Sequence, residues 1–387
     1  MQCYFYNKMI QAPLMEKILR LQACKEYSLE QEVVSELIEM AYQLEWGGDL
    51  LKKYICYEII TDENVLTLSA EKQGSEIDET LKELALQDIA QLKNLFHSQI
   101  VTIQLKEEKQ DKSNVIYEVF ERGASEGEIL ECILRFHETY GAGVMNRYPA
   151  FKWRTGEGLV GVSQCDPIKL EDLVGCDYQK QLLVHNTESF LQGKEANNVL
   201  LFGDRGTGKS SSVKALLNAY YDQGLRIIEL SKSDFKDFNV ILKYIKRRGL
   251  KFILFLDDLS FEEFETDYKY MKALIEGGVE VKPDNVLIYA TSNRRHLIRE
   301  TWEERQGEDV HVADTRQEKL SLSDRFGLTL TFTSPNQNIY LEMVYKIAEQ
   351  YQLQLPKNHL REKALQWELL HGGRSGRVAK QFIQSLL

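Results

Sequence analysis

Along the first 160 residues, apolar positions recur at helical spacing, as in Val33, Val34, Leu37, Ile38 and Ala41, in Leu81, Leu84, Ile89, Leu92 and Leu95, and in Ile129, Ile133 and Leu134. This pattern predicts a largely helical half. Its breaks fall at Gly47-Gly48, around Gln73-Gly74-Ser75 and at 107–113, where polar and charged residues cluster without a period. The glycine-rich stretch 141–162 mixes aromatic and basic residues and reads as a linker, which puts a boundary near residue 165. Beyond it the pattern changes to short β-rich runs at 198–202, 226–230, 252–256, 286–290 and 328–332, separated by amphipathic helical stretches. Such alternation implies right-handed βαβ units and a parallel five-stranded sheet covered on both faces. Helical patterns at 338–351, 357–370 and 375–387 follow with no strand between them. The expected organisation is a mostly helical N-terminal domain with its linker over 1–165, an α/β domain over 166–335 and a helical lid over 336–387.

Composition narrows the class. A chain of 387 residues with 43% hydrophobic and 28% charged positions and 6 prolines is that of a soluble globular protein, which excludes collagen-like and wholly disordered chains. The apolar runs are far too short to span a bilayer, so no membrane span is expected. Lys8, Glu16 and Lys17 interrupt the N-terminal apolar residues, which argues against a secretory signal and for a cytoplasmic protein. Cys3, Cys24, Cys56, Cys132, Cys165 and Cys176 form no C-x-x-C pair, which speaks against a zinc site or a disulfide framework. Residues 1–160 carry 17 Lys and Arg against 27 Asp and Glu, a balance of -10, whereas 161–387 carry 31 against 32. An acidic N-terminal half disfavours contact with a phosphate backbone. The balanced half leaves that question open.

The strongest chemical signal is Gly203-Asp204-Arg205-Gly206-Thr207-Gly208-Lys209-Ser210, a G-x-x-x-x-G-K-[ST] sequence between the run at 198–202 and a helix starting near Lys209. Glycines let the loop wrap a phosphate with backbone N–H groups, and the helix N-terminus adds a favourable dipole. Lys209 is expected to reach the terminal phosphates of a nucleotide, the Ser210 hydroxyl to coordinate Mg²⁺, and Ser211 to line the same cradle. A second element, Ile253-Leu254-Phe255-Leu256-Asp257-Asp258, is an apolar strand ending in two carboxylates. In isolation such an end is commonly just solvated. About 50 residues after a P-loop, Asp257 is expected to hold Mg²⁺ through water and Asp258 to orient or deprotonate the attacking water, with Glu262 or Glu263 as the alternative base.

The order of these two elements, followed by Ile288-Tyr289-Ala290-Thr291-Ser292-Asn293, Ser323-Asp324-Arg325-Phe326 and Gly373-Arg374-Ser375-Gly376-Arg377, resembles the AAA+ ATPases. The nearest likeness is to an uncharacterised bacterial AAA+ family catalogued as a domain of unknown function, through GDRGTGKSSSVKALL, FLDDLSFEE, IYATSNRRHLI, LSLSDRFGL and GRSGRVAKQFIQ. The resemblance covers residues 165–387 and leaves the first 160 without a counterpart. It implies a P-loop NTPase fold with a C-terminal helical lid. Val174 and Gly175, in Leu173-Val174-Gly175, resemble the segment that lies against the adenine.

The same resemblance assigns roles to three further side chains. Asn293 would be the polar sensor that positions the attacking water, or a residue that only caps a loop. Arg325 would be the arginine finger inserted into a neighbouring subunit's site, which implies a homo-oligomer, or else an ion-pair partner of Asp324 or Glu318. Arg374 would be the second sensor, with Arg377 as the alternative. Two departures bear on rate: Asp204-Arg205 replaces common prolines, and Asp258 is one methylene shorter than the usual Glu. The charged run 294–319 reads as a solvated loop or a partner-contacting insertion, and Tyr268, Lys269 and Tyr270 as helix packing or a pore lining. The histidines show no metal-ligand spacing. These features make an ATPase acting on an unidentified protein or nucleic-acid partner the leading expectation, ahead of an ATP-dependent scaffold or switch and of a small-molecule P-loop kinase.

Overall fold

The computed structural model describes residues 2–24, 26–106, 112–259, 283–293 and 325–387. The chain divides into two compact units, one of 1–148 with 248–250 and one of 149–247 with 251–387.

The first unit is helical, as the periodicity predicts. Its longer helices are Pro13–Ala23, Tyr27–Leu44, Leu50–Thr61, Val65–Gln73, Glu79–Phe96, Asn114–Glu121 and Glu126–Tyr140. Most of the marked positions are inside, Val33, Leu37 and Ala41 in one helix and Ile89, Leu92 and Leu95 in another, but Ile38 is 45% exposed. Glycine and cap chemistry set the breaks. Gly48 opens a two-residue strand β1 (Gly48–Asp49) that pairs with β2 (Gln104–Leu105), and Gly74 ends the helix before it at a positive φ of 57°. Ser125 and Glu128 cap each other's backbone at the start of Glu126–Tyr140, leaving fewer orphan N–H groups. The Asp88 carboxylate, fully buried, accepts from the Tyr4 and Phe5 amides and pins the N-terminal segment.

Glu71, its side chain fully buried, accepts from Arg248 Nε and Nη2 at 2.9 and 2.7 Å and from the Gly249 and Ala142 amides, both at 2.8 Å. Four donors satisfy a carboxylate that water cannot reach. Arg248 keeps a second carboxylate, Glu63, at 2.8 Å from Nη1, so loss of the Glu71 charge does not leave its guanidinium unpaired. Glu71→Gln, which preserves shape but not charge and turns a donor toward the Arg248 and backbone N–H groups, is expected to lower the stability of this unit by about 1–3 kcal/mol in denaturant titration.

The second unit is a seven-stranded sheet in the order β4-β3-β6-β7-β8-β5-β9. The five runs read from the sequence are β5 (Val199–Gly203), β6 (Leu225–Glu229), β7 (Lys251–Leu256), β8 (Val286–Ser292) and β9 (Leu328–Phe332), all parallel. The central strands are buried almost end to end, with apolar runs Phe252–Leu256 and Val286–Ala290, as expected of parallel strands inside a sheet. The other two strands correct the expected linker and the expected count of five. β3 (Ala150–Arg154) joins β6 in parallel, and β4 (Gly158–Val162) closes an antiparallel hairpin at the sheet edge. Gly156 and Gly158, at φ of 90° and 88°, make its turn. The same glycines that suggest a linker serve a hairpin.

The chain therefore divides between Tyr148 and Pro149, upstream of the expected position near 165. After β9, helices Gln337–Gln350, Lys357–Leu370 and Gly376–Gln384 pack around their own core of Tyr340, Val344, Leu360, Ala364, Phe382 and Ile383. Among the described residues, no helix is long and apolar enough to cross a membrane.

Candidate functional site

β5 ends at Gly203, where φ is 136° and an added Cβ would lie 1.8 Å from the Phe332 carbonyl oxygen of β9. Only glycine fits there. The Asp204 amide donates to that same carbonyl at 2.9 Å, so the chain turns sharply off the sheet and folds back on itself. Gly208, at φ 100°, is the N-cap of the helix Lys209–Tyr220, whose first N–H groups have no intrahelical partner. Lys209 is 7% exposed and turns back over its own loop, donating to Gly203 O at 2.8 Å, Asp204 O at 2.6 Å and Asn293 Oδ1 at 3.2 Å. Burial pulls the pKa of its ammonium down, against the attraction of Asp204, Asp258 and Asp257. Thr207 Oγ1 closes the loop onto Asp204 O at 2.8 Å. The Asp204 carboxylate accepts from the Ser334 hydroxyl and amide, which hold its pKa below the ordinary carboxylate range.

β7 delivers the acidic pair beside this loop. Asp257 Oδ1 accepts from Ser210 Oγ and from Thr291 Oγ1, both at 2.6 Å. Asp258 has a left-handed φ of 53°, held by a hydrogen bond from its amide to Thr291 Oγ1 at 2.8 Å. Its Oδ1 accepts from Asn293 Nδ2 at 2.6 Å, and Asn293 in turn accepts from Lys209. Lys209, Ser210, Asp257, Asp258 and Asn293, separated by up to 84 positions, thus form one hydrogen-bonded constellation with Thr291. Thr291 is the member that sequence reasoning missed. The available signal was strand alternation, since positions 291 and 293 share a side of the chain.

These groups line a cleft of about 880 Å³. The loop contributes Arg205, Gly206, Thr207, Gly208, Lys209, Ser210 and Ser211; Asp257, Asp258, Thr291 and Asn293 come from the strand ends. Further along, the wall includes Lys214 of the P-loop helix, the segment 166–176 through Ile168 and Val174 among others, and the lid through Met343, Ile347, the helix-capping Tyr351 and Arg377. Gly175 lies outside the lining, and at φ 76° an added Cβ there would sit 2.3 Å from Ile339 Cγ2 of the lid. Gly203 and Asp204 also stand behind the lining and present their carbonyls to Lys209.

The two lid arginines differ in placement. Arg374 precedes the N-cap Ser375, so it is not on the last helix, and its Nε donates to both Glu368 oxygens at 2.9 and 2.8 Å. That pairing raises its pKa. Arg377, in the first turn of the helix, lines the cleft. The Gly376 amide donates to Gly206 O at 3.0 Å, which ties the lid to the P-loop. Arg325, partly exposed, lies three residues before β9 and does not line the cleft of its own chain. Glu262, Glu263, Tyr268, Lys269, Tyr270, Asp324 and the charged run 294–319 lie outside the described residues. The donor set of Ser210 and Asp257 consists of hard oxygens, which fits Mg²⁺ better than a soft metal.

Strand order, P-loop position and lid together define a P-loop α/β fold of the AAA+ class. Residues 146–387 match the family described as Protein of unknown function (DUF815), and the chain belongs to that family. Over 71 residues it is 41% identical to the Replication factor C large subunit of Staphylothermus marinus, a stretch covering 18% of this chain and 16% of that protein. Over 84 residues it is 34% identical to the subunit of the same name from Methanococcus vannielii, covering 22% and 16%. The chain therefore spans about a sixth of the length of these curated relatives. Among solved structures, the Thermotoga maritima RuvB Holliday junction branch migration motor aligns at 13% identity and a TM-score of 0.36, over 57% of this chain and 72% of that one.

The loop's geometry gives a direct prediction. Gly203→Ala places a methyl against a backbone carbonyl in a conformation alanine avoids, so the variant is expected to lose more than about 3 kcal/mol in thermal or chemical unfolding.

Proposed function

We propose that this protein binds ATP in the cleft between P-loop and lid and hydrolyses it with Mg²⁺ to ADP and phosphate, as an AAA+ machine that remodels or loads a macromolecular partner in the cytoplasm. The observation that carries this reading is the single constellation of Lys209, Ser210, Asp257, Asp258 and Asn293 in one cleft. Lys209 and the loop amides meet the terminal phosphates. Val174, with Ile347 and Tyr351, offers an apolar wall to the base. Mg²⁺, held by Ser210 and Asp257, would offset charge on the β- and γ-phosphates.

As the water oxygen bonds to the γ-phosphorus, Asp258 takes a proton of that water on the carboxylate oxygen not engaged by Asn293, and the bond between the γ-phosphorus and the bridging oxygen breaks, its electron pair leaving with ADP. Asn293 orients that water and keeps Lys209 aligned. Arg377 is the lid arginine for the γ-phosphate, because Arg374 is committed to Glu368. Arg325 acts in the neighbouring subunit's site, which makes the working form a homo-oligomer. Its position outside the lining of its own cleft favours this. A slow switch is the second reading, favoured by the short Asp258 side chain and by the Asn293 bond that occupies one of its oxygens.

Phosphate-release assays on paired variants test the scheme. Asp258→Asn is expected to bind ATP but lose turnover by about a hundredfold or more, since an amide cannot take the proton. Arg325→Ala should lose about a thousandfold in turnover while each chain still binds ATP. Mixing the two variants brings an intact Asp258 site together with an intact arginine from the other chain, and activity should partly return. No recovery, with light scattering reporting a monomer in every nucleotide state, would remove the role of Arg325.

A further inference from the structure

The segment 166–176 supplies Ile168 and Val174 to the cleft, yet its only regular element is the short turn Leu170–Asp172. Its shape is fixed from two sides. From the P-loop helix, the Asn218 side-chain amide donates to Asp166 O at 2.8 Å and to Ile168 O at 2.7 Å. From the first lid helix, Gln350 Nε2 donates to Asp172 Oδ1 at 2.5 Å and Lys346 Nζ donates to the Glu171 carbonyl. A carboxamide carries two N–H donors, and both of Asn218's are spent on this segment. Asn218 is nine residues along the helix from Lys209, about 13 Å at 1.5 Å per residue, and it does not line the cleft.

We infer that Asn218 is a positioning residue for base recognition. It holds the 166–168 backbone so that Ile168 and Val174 form one wall of an apolar slot completed by Met343, Ile347 and Tyr351. This inference rests on the reading of the cleft as a nucleotide site. Because Asn218 is too far along the helix to touch the phosphates, its contribution is confined to the base and ribose. Loss of the two hydrogen bonds loosens the wall, and the triphosphate keeps its full set of contacts with the loop.

Competition against a fluorescent ATP analogue, with the full chain and Mg²⁺, separates the two parts of the ligand. ATP and inorganic tripolyphosphate are the competitors. Asn218→Ala is expected to weaken ATP about threefold to tenfold and leave tripolyphosphate unchanged. Asn218→Asp, equal in shape but presenting an acceptor to two carbonyls, should weaken ATP at least as much. If Asn218→Ala fails to fold, Asn218→Ser carries the same comparison with one donor kept, and unchanged tripolyphosphate affinity reports an intact loop. Equal weakening of both ligands, or unchanged ATP affinity, overturns the positioning role. A wild-type chain that binds neither ligand overturns the nucleotide reading of the cleft itself.

Discussion

A lysine ammonium withdrawn from water has to be surrounded by oxygen, and much of the second unit is arranged around that need. Lys209 is almost fully buried, and its hydrogen bonds go to two backbone carbonyls and a side-chain amide, all uncharged. Burial penalises the charged form, so the ammonium gains from any anion brought within reach. The carbonyl of Gly203 can turn toward it only because that residue has no side chain to strike β9. Thr207 and the Asp204–Ser334 contacts then hold the loop in the shape that keeps the carbonyls converged.

The sheet supplies the rest of the surroundings. β8 lies between β7 and β5, with Leu256 opposite Ala290 and Phe202 opposite Ser292. This register brings the ends of three parallel strands to one edge, where chain crossovers leave room for a ligand. Thr291 is the joint between them: one hydroxyl donates to the Asp257 carboxylate and accepts from the Asp258 amide. With Asp258 held in a left-handed conformation, its carboxylate meets Asn293, and Asn293 meets Lys209. Strand register thereby brings the residues together, and side-chain hydrogen bonds among Lys209, Ser210, Asp257, Thr291, Asp258 and Asn293 fix them in one group.

Much of this was legible in the sequence because its physical causes are local. Five apolar runs read as buried strands, and the P-loop glycines sit where positive φ values occur. Other features depend on partners distant along the chain. The 150–162 hairpin was hidden because its glycines and basic residues resemble a linker until β6 is available to pair with it. The sequence favours Arg374 over Arg377 as the lid arginine, but the helix starts after Arg374, and the Arg374 guanidinium pairs with Glu368, while Arg377 lines the cleft. Thr291 lies inside the Ile288–Asn293 stretch but has no residue-type signature of its own, and Asn218 lies outside every motif. Their importance lies in which backbone groups they meet, and that is a property of the folded chain.

Equilibrium titration with Mg·ATP tests the dependence on Lys209 most directly. Saturable binding by the wild-type chain, and binding at least about a hundredfold weaker by a Lys209→Ala variant with an unchanged circular dichroism spectrum, is the expected result. Equal affinity in the two folded chains would contradict it.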